Sequence, residues 1–121
     1  MSSNLFTIPE HQSDEEVIEL LAEGRELRIE RIISRGHASP PGFWYDQELD
    51  EWVALLQGEA RVRFENGITR RLQAGDYLFL PARLRHRVES TSTEPPCVWL
   101  AVHGSFPEQV RAASREGNHE V

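Results

Sequence analysis

The sequence contains no lysine, so all thirteen of its basic residues are arginines, and they stand against twenty acidic residues. The formal net charge is therefore −7 at pH 7. A surface with this excess of negative charge repels the phosphate backbone of a nucleic acid. We therefore expect no nucleic-acid partner.

Cysteine and long apolar runs are also scarce. Cys97 is the single cysteine, so the chain cannot form an internal disulfide or a zinc site made of several thiolates. The stretch from Cys97 to Phe106 carries no formal charge, but it is far shorter than the ~18 residues that cross a bilayer. No apolar block precedes Arg25, the first basic residue. These absences predict a cytoplasmic protein with no signal peptide and no membrane partner.

The remaining composition is typical of one globular domain. The chain has 121 residues, of which 39% are hydrophobic and 27% are charged. A chain of this size buries enough apolar surface to form a core without disulfides or metals. The balance of apolar and charged residues also argues against intrinsic disorder.

A short helix is predicted near the N-terminus. Ser13 opens an S-x-x-E capping box directly before an apolar run. Within that run Val17, Leu20 and Leu21 fall on one face of a helix. This pattern predicts a helix over residues 13–23, packed outside the rest of the fold.

From Leu27 onward the hydrophobic period changes from 3.6 to 2, because apolar and polar residues alternate as far as Ile33. Similar short segments follow at intervals of about ten residues, with turn residues such as Asn66-Gly67 between them. They make seven or eight strands, and no helical pattern interrupts the chain before His103. The fold class is therefore all-β, as an antiparallel sandwich or barrel.

Two segments of this region carry a recognisable spacing. In the second segment five residues separate Gly75 from Pro81, and four residues separate Pro81 from His86. In the first, Glu51 is followed after six residues by Gly58. This arrangement resembles the paired motifs of the cupin superfamily. The resemblance covers most of the chain.

The resemblance implies a double-stranded β-helix, or jelly-roll, barrel over residues 27–103. An arm and the short N-terminal helix would then occupy residues 1–26, and a tail would occupy residues 104–121. The second motif departs from the family pattern at two positions, where Arg83 replaces the second motif glycine and Ser90 replaces an asparagine.

The first motif departs from the family pattern more strongly, because its pair of histidines is missing. Counting back from Glu51 with four intervening residues places Trp44 and Asp46 at the two histidine positions. With three intervening residues the positions are Tyr45 and Gln47. Both registers stay open at this stage.

In the family, the motif histidines and glutamate meet inside the barrel and hold one divalent metal ion. The resemblance therefore implies a site formed by Asp46, Glu51 and His86, with Gln47 as a possible fourth ligand. Replacement of imidazole by carboxylate favours a harder ion among manganese, zinc, nickel and iron. Each residue also has a simpler interpretation: Glu51 pairs with an arginine, His86 is a structural histidine, and Asp46 belongs to a turn.

Other residues near these motifs are candidates for a substrate pocket. Trp44 and Tyr45 stand where the ligand-bearing strand begins, and Arg83 is a candidate for contact with an anionic substrate. His37 and His103 are the other histidines of the barrel region, but neither occupies a motif position.

Three functions remain open from the sequence. One is a metal-dependent enzyme acting on a small polar molecule, the second is a binding module that needs no metal, and the third is a structural domain with a filled barrel. We also expect a homodimer, because small cupins commonly pair and the chain carries more aromatic and apolar strand surface than one thin barrel can bury. Trp52, Ala54 and Leu56 form the face opposite Glu51 and are candidates for the interface or for packing under the N-terminal arm.

Overall fold

The computed structural model describes residues 2–9 and 15–119. Strands dominate this part of the chain, and one helix follows them. The elements in chain order are β1 (Val17–Gly24), β2 (Leu27–Ser34), β3 (Asp50–Gln57), β4 (Glu59–Phe64), β5 (Thr69–Gln73), β6 (Tyr77–Leu80), β7 (His86–Thr91), β8 (Cys97–Gly104) and α1 (Glu108–His119).

The strands form two antiparallel sheets. The larger sheet has the order β1-β2-β8-β3-β6, and the smaller one has the order β5-β4-β7. This architecture confirms the predicted all-β jelly-roll barrel. β1 extends the larger sheet on the N-terminal side of residue 27, where the predicted barrel begins. No helix in the described residues is long and apolar enough to cross a membrane.

The predicted N-terminal helix is wrong. Residues 17–24 form β1, which pairs along its length with β2. The sequence of this segment also fits a strand, because Ile18 and Leu20 are two residues apart and so project from the same face of the sheet. They stand opposite Ile32 and Glu30 of β2. Pairing with a neighbouring strand outweighs the weak helical propensity of so short a segment. Ser13, where the helix was predicted to begin, lies outside the described residues, and the short helix of the fold is the C-terminal α1.

The hydrophobic core lies between the two sheets. It is built from inward-facing residues of five strands: Val53, Leu55, Ala60, Val62, Phe64, Leu72, Leu78, Leu80, Cys97, Trp99 and Ala101. The predicted hairpin at Asn66-Gly67 joins β4 to β5, and the backbone N–H of Phe64 donates to the carbonyl oxygen of Ile68 at 2.8 Å. The alternation read from the sequence thus positions the core as expected.

The motif glycine Gly58 lies where two segments approach closely. Its φ is +93°, in the region that favours glycine. A Cβ at this position would lie only 2.8 Å from both the Sγ of Cys97 and the Oγ of Ser92. The glycine therefore lets the β3–β4 corner pack against the beginning of β8.

The outer face of β3 carries the three residues proposed for a dimer interface. Ala54 is buried within the single chain, and the ring of Trp52 lies 5.7 Å from that of Tyr77. Leu56 is half-buried. The homodimer stays a prediction.

Asp50 anchors the beginning of β3 to the C-terminal segment. Its carboxylate is buried and accepts hydrogen bonds from the backbone N–H groups of Ala82 at 2.8 Å and Phe106 at 3.0 Å. The guanidinium of Arg111, on α1, donates to the same group at 3.0 Å. Burial opposes the charged carboxylate, but these hydrogen bonds outweigh burial and hold the pKa of Asp50 below its ordinary value.

We expect Asp50→Ala to lower the free energy of unfolding by about 3 kcal/mol, because it leaves a guanidinium and two backbone donors without their acceptor. The matched control is Asp46→Ala, which removes an exposed aspartate paired with Arg83 at 3.2 Å and should cost less than about 1 kcal/mol. Urea unfolding measures both. Equal small losses in the two variants would show that Asp50 is no anchor.

Candidate functional site

A half-open cavity of about 250 Å³ lies between the two sheets. Its apolar lining comes from seven strands: Ile18, Ile32, Val53, Val62, Leu78, Leu80, Val88 and Trp99. Its polar lining is equally numerous: Glu16, Arg28, Glu30, Tyr45, Gln47, Glu51, His86 and His103. A concave apolar pocket with a few converging polar groups is the usual form of a small-molecule site.

Glu51 is the most unusual of these residues. Alternation along β3 places it on the same inward face as Val53 and Leu55, and only 7% of its surface is exposed. No hydrogen bond or ion pair joins its carboxyl group to any residue that the structure describes. Burial, followed by the negative charge of Glu30, raises the pKa of Glu51 from 4.5 to about 7.

His86 is held in the cavity wall by the loop that precedes β3. The backbone of Tyr45 pairs with that of His86, with N···O distances of 2.7 and 3.2 Å, and the two rings stack at 5.2 Å. The Nδ1 of His86 lies 2.9 Å from the carbonyl oxygen of Leu84. A neutral imidazole that donates its Nδ1–H to this carbonyl keeps Nε2 as its proton-accepting nitrogen. Tyr45 thus fixes the position of the ring, and Leu84 favours one tautomer.

His103 belongs to a chain of polar contacts that ends at the cavity. It stands directly opposite Glu51 in the β3–β8 ladder, so both side chains face the same side of the sheet. Its Nε2 lies 3.1 Å from the Glu30 carboxylate, which also accepts from the Arg28 guanidinium at 2.9 Å. Glu30 therefore orients His103 and is itself held by Arg28.

Both histidines are expected to be uncharged at neutral pH. Burial lowers the pKa of His86, and the nearby His103 lowers it further, although the hydrogen bond with Leu84 opposes the shift. Burial also lowers the pKa of His103, and the Glu30 carboxylate, which favours the charged ring, does not reverse this shift. The cavity thus combines a carboxyl group that titrates near pH 7 with two neutral imidazoles.

The structure selects one of the two registers for the first motif. Tyr45 and Gln47 line the cavity together with Glu51 and His86, so the register with three intervening residues faces inward. Tyr45 is partly buried there, and burial followed by the charges of Glu16 and Glu51 raises the pKa of its hydroxyl.

The residues of the alternative register lie outside the cavity lining. Asp46 is half-exposed and pairs with Arg83, whose guanidinium lies 3.2 Å away and is itself exposed. The ring of Trp44 lies beneath the guanidinium groups of Arg85 and Arg87, at 5.9 and 6.0 Å. Adjacent residues in an extended segment point in opposite directions, which explains why only one register can enter the barrel.

Arg83 occupies the position of a motif glycine and keeps the corresponding backbone conformation. Its φ is +68°, and its N–H donates to the carbonyl oxygen of Gln47 at 2.8 Å. The motif position thus connects the β6–β7 turn to the loop before β3. The side chain itself lines the outside of that loop and not the cavity.

The implied metal site can be tested against these positions. Within the described residues no group of three or more histidine, cysteine, aspartate or glutamate side chains is arranged to hold a metal ion. Of the expected ligands, Glu51 and His86 share the cavity, whereas Asp46 is turned toward Arg83. Asp46, Glu51 and His86 therefore do not fit a metal ion in this arrangement.

Four polar residues of the cavity were missed as site residues from the sequence, namely Glu16, Arg28, Glu30 and His103. The signal for His103 was available, because alternation along β8 puts it on the same face as the core residues Trp99 and Ala101. Glu30 was harder to find, since the apolar face of β2 is the one expected to point inward. In the structure the opposite, more polar face of β2 lines the cavity.

Comparisons with known proteins agree with this architecture. The family model described as "Cupin domain" matches residues 32–103. A solved structure from Ralstonia eutropha JMP134, described as a "putative mannose-6-phosphate isomerase", is 45% identical, with a TM-score of 0.82 and coverage of 88% of this chain and 99% of that chain. Comparison with curated proteins gave no match.

More distant solved structures share the fold. A cupin superfamily protein from Desulfitobacterium hafniense DCB-2 is 19% identical with a TM-score of 0.67, and the match covers 81% of this chain and 84% of that chain. The protein TT1209 from Thermus thermophilus is also 19% identical, with a TM-score of 0.70 and coverage of 88% of this chain and 98% of that chain.

The raised pKa of Glu51 predicts a specific pH dependence of stability. Because the native carboxyl binds its proton more tightly than the unfolded one, the free energy of unfolding falls as the pH rises from 4.5 to about 7. We expect Glu51→Gln to remove this loss and to be more stable than wild type at pH 8, by on the order of 2–3 kcal/mol, with a much smaller difference at pH 5.

Chemical denaturation at a series of pH values measures this difference. Glu59→Gln is the control, because it removes the same charge from a fully exposed side chain and should add no such slope between pH 5 and 8. Parallel stability profiles for wild type and Glu51→Gln would contradict the prediction.

Proposed function

The chain belongs to the cupin family, and on that premise we propose that it binds a small polar molecule in the cavity between its sheets. The observation that carries this proposal is the carboxyl group of Glu51, which is 7% exposed and has no hydrogen-bonding partner in the described residues. The carboxyl oxygens are not among the fully buried polar atoms that lack a partner, so they stay accessible from the cavity. A ligand in the cavity can therefore reach them and donate the hydrogen bonds that the described residues do not supply.

The dimensions and lining of the cavity support the same proposal. A volume of about 250 Å³ is just below the ~300–1,000 Å³ that is usual for drug-sized ligands, so the cavity suits a smaller molecule. Val53, Val62 and Leu80 cover the apolar parts of such a ligand, while Glu51, His86 and Gln47 offer polar contacts. A filled barrel serving only as a structural domain would leave no such space.

A second candidate function, catalysis of proton transfer, is favoured by the titration of the same groups. Glu51 has a pKa of about 7, and both histidines are neutral at this pH, so the cavity offers proton donors and acceptors together. Isomerisation of a sugar needs one group to remove a proton and another to return it. The description of the Ralstonia protein as an isomerase, at 45% identity, supports this class of reaction, and the phosphorylated substrate in its name is not carried over to this chain.

The metal-dependent form of the function stays a prediction. The donor types of the cavity, a carboxylate and imidazoles, are ones that divalent metals accept, but the described side chains are not arranged around one point. We therefore propose that ligand binding does not require manganese, zinc, nickel or iron.

The test is a screen of small polar compounds, including sugars and polyols, by ligand-observed NMR in the presence of EDTA. We expect binding by wild type and at least about tenfold weaker binding by Glu51→Gln, because one charge-assisted hydrogen bond is lost. Asp46→Asn is the matched control, since it also neutralises a first-motif candidate but lies outside the cavity, and it should bind like wild type.

Two outcomes would contradict the proposal. Equal weakening in Glu51→Gln and Asp46→Asn would place the ligand elsewhere. Binding that appears only after one of the four metals is added, and that Asp46→Asn abolishes, would replace the proposal with the metal site predicted from the motifs.

A further inference from the structure

The charges that line the cavity are unbalanced. Three carboxyl groups line it, those of Glu16, Glu30 and Glu51, whereas Arg28 is the single guanidinium among the described lining residues. Lysine does not occur anywhere in the sequence, so no ammonium group of a side chain can contribute. The described lining of the cavity therefore carries more acidic than basic side chains.

The positive charge of Arg28 is already paired with a carboxylate of the same cavity. Its Nε lies 2.9 Å from the carboxylate of Glu30, a side chain that is mostly buried. This pair cancels one negative and one positive charge of the lining, so the carboxyl groups of Glu16 and Glu51 remain without a guanidinium among the described lining residues.

Glu16 is fixed at the cavity in a similar way. Its carboxylate accepts a hydrogen bond from the hydroxyl of Ser34 at 2.6 Å, and that hydroxyl accepts one from the indole N–H of Trp99 at 3.2 Å. The carboxylate is therefore held at the cavity wall and does not swing freely into solvent.

The two imidazoles do not restore the balance. Burial lowers the pKa values of both His86 and His103, so the neutral form of each ring predominates at neutral pH. The cavity consequently has a net negative charge when Glu51 is ionised, and it still has one when Glu51 is protonated.

We propose that the cavity selects a ligand that carries hydrogen-bond donors and no negative charge, such as a sugar or polyol, and rejects the corresponding phosphate ester. This inference rests on the proposed binding function and narrows its ligand class. The carboxyl group of Glu51 accepts hydrogen bonds from hydroxyl groups, whereas a phosphate ester brings a charge of about −1.5 to −2 at pH 7 beside three carboxyl groups. One like-charge contact at ~6 Å in an effective dielectric of ~20 weakens binding by about a hundredfold.

The experiment compares matched pairs that differ by one phosphate group. The probes are mannose against mannose 6-phosphate and glycerol against glycerol 3-phosphate, added to a broader panel of neutral sugars and their phosphate esters. Dissociation constants are measured for the full chain by ligand-observed NMR at neutral pH and low ionic strength. We expect the neutral member of each binding pair to bind about a hundredfold more tightly than its ester.

Two variants separate a local effect from the net charge of the protein. Glu16→Gln removes one cavity charge and should reduce the preference for the neutral ligand about tenfold. Glu59→Gln removes one charge from the outer face of the smaller sheet, where it pairs with Arg71 at 2.7 Å, and should leave the preference unchanged. Equal effects of both variants would assign the preference to overall charge and overturn the inference.

The remaining outcomes distinguish this inference from the function on which it rests. Tighter binding of the esters, lost in Glu51→Gln, would overturn the charge selectivity but leave the cavity as the binding site. Absence of binding by every neutral and phosphorylated compound would contradict the proposed function, and the selectivity would fall with it.

Discussion

The buried carboxyl group of Glu51 is the constraint from which the properties of the cavity follow. β3 lies between β8 and β6 in the larger sheet, and its inward face would be fully apolar if the strand served packing alone. An acidic side chain at this position loses most of its contact with solvent and gains no partner from the described part of the chain. The fold therefore carries a cost that only protonation or a bound ligand removes, and this cost links the stability of the protein to its function.

The surrounding structure holds that group in place from several directions. Its neighbour in sequence, Asp50, points the other way and ties the beginning of β3 to the C-terminal segment. The backbone pairing of Tyr45 with His86 brings the loop before β3 against β7, so an imidazole from the smaller sheet faces a carboxyl group from the larger one. Rigid strands thus position the polar groups, and the loop supplies Tyr45 and Gln47 at the cavity wall.

Much of the fold could be predicted from the sequence because antiparallel strands leave a period of two that short segments preserve. The Asn66-Gly67 hairpin and the motif glycine Gly58 are local features, and each has a conformation that few other residues adopt. The N-terminal segment was misread because Val17, Leu20 and Leu21 satisfy a helical period, and pairing with β2, a contact with residues further along the chain, makes it a strand.

The candidate site was less predictable than the fold for the same reason. Spacing identified Glu51 and His86, which both line the cavity, but could not choose between the two registers of the preceding loop. That choice depends on the pairing of Tyr45 with His86, which lie 41 positions apart by their numbers (86 − 45). Likewise, the contact between His103 and Glu30 joins two strands that are distant in sequence, so neither motif could report it.

Protonation of Glu51 reports directly whether its carboxyl group lies in the cavity without a partner. In a carbon-13 NMR titration of the side-chain carboxyl groups, with the Glu51 resonance assigned by its loss in Glu51→Gln, we expect a midpoint near pH 7 for this residue. The exposed Glu59, whose hydrogen bond with Arg71 lowers its pKa, should titrate below its ordinary value. A midpoint for Glu51 close to 4.5 would show that its carboxyl group is hydrated or paired, and not a buried group without a partner.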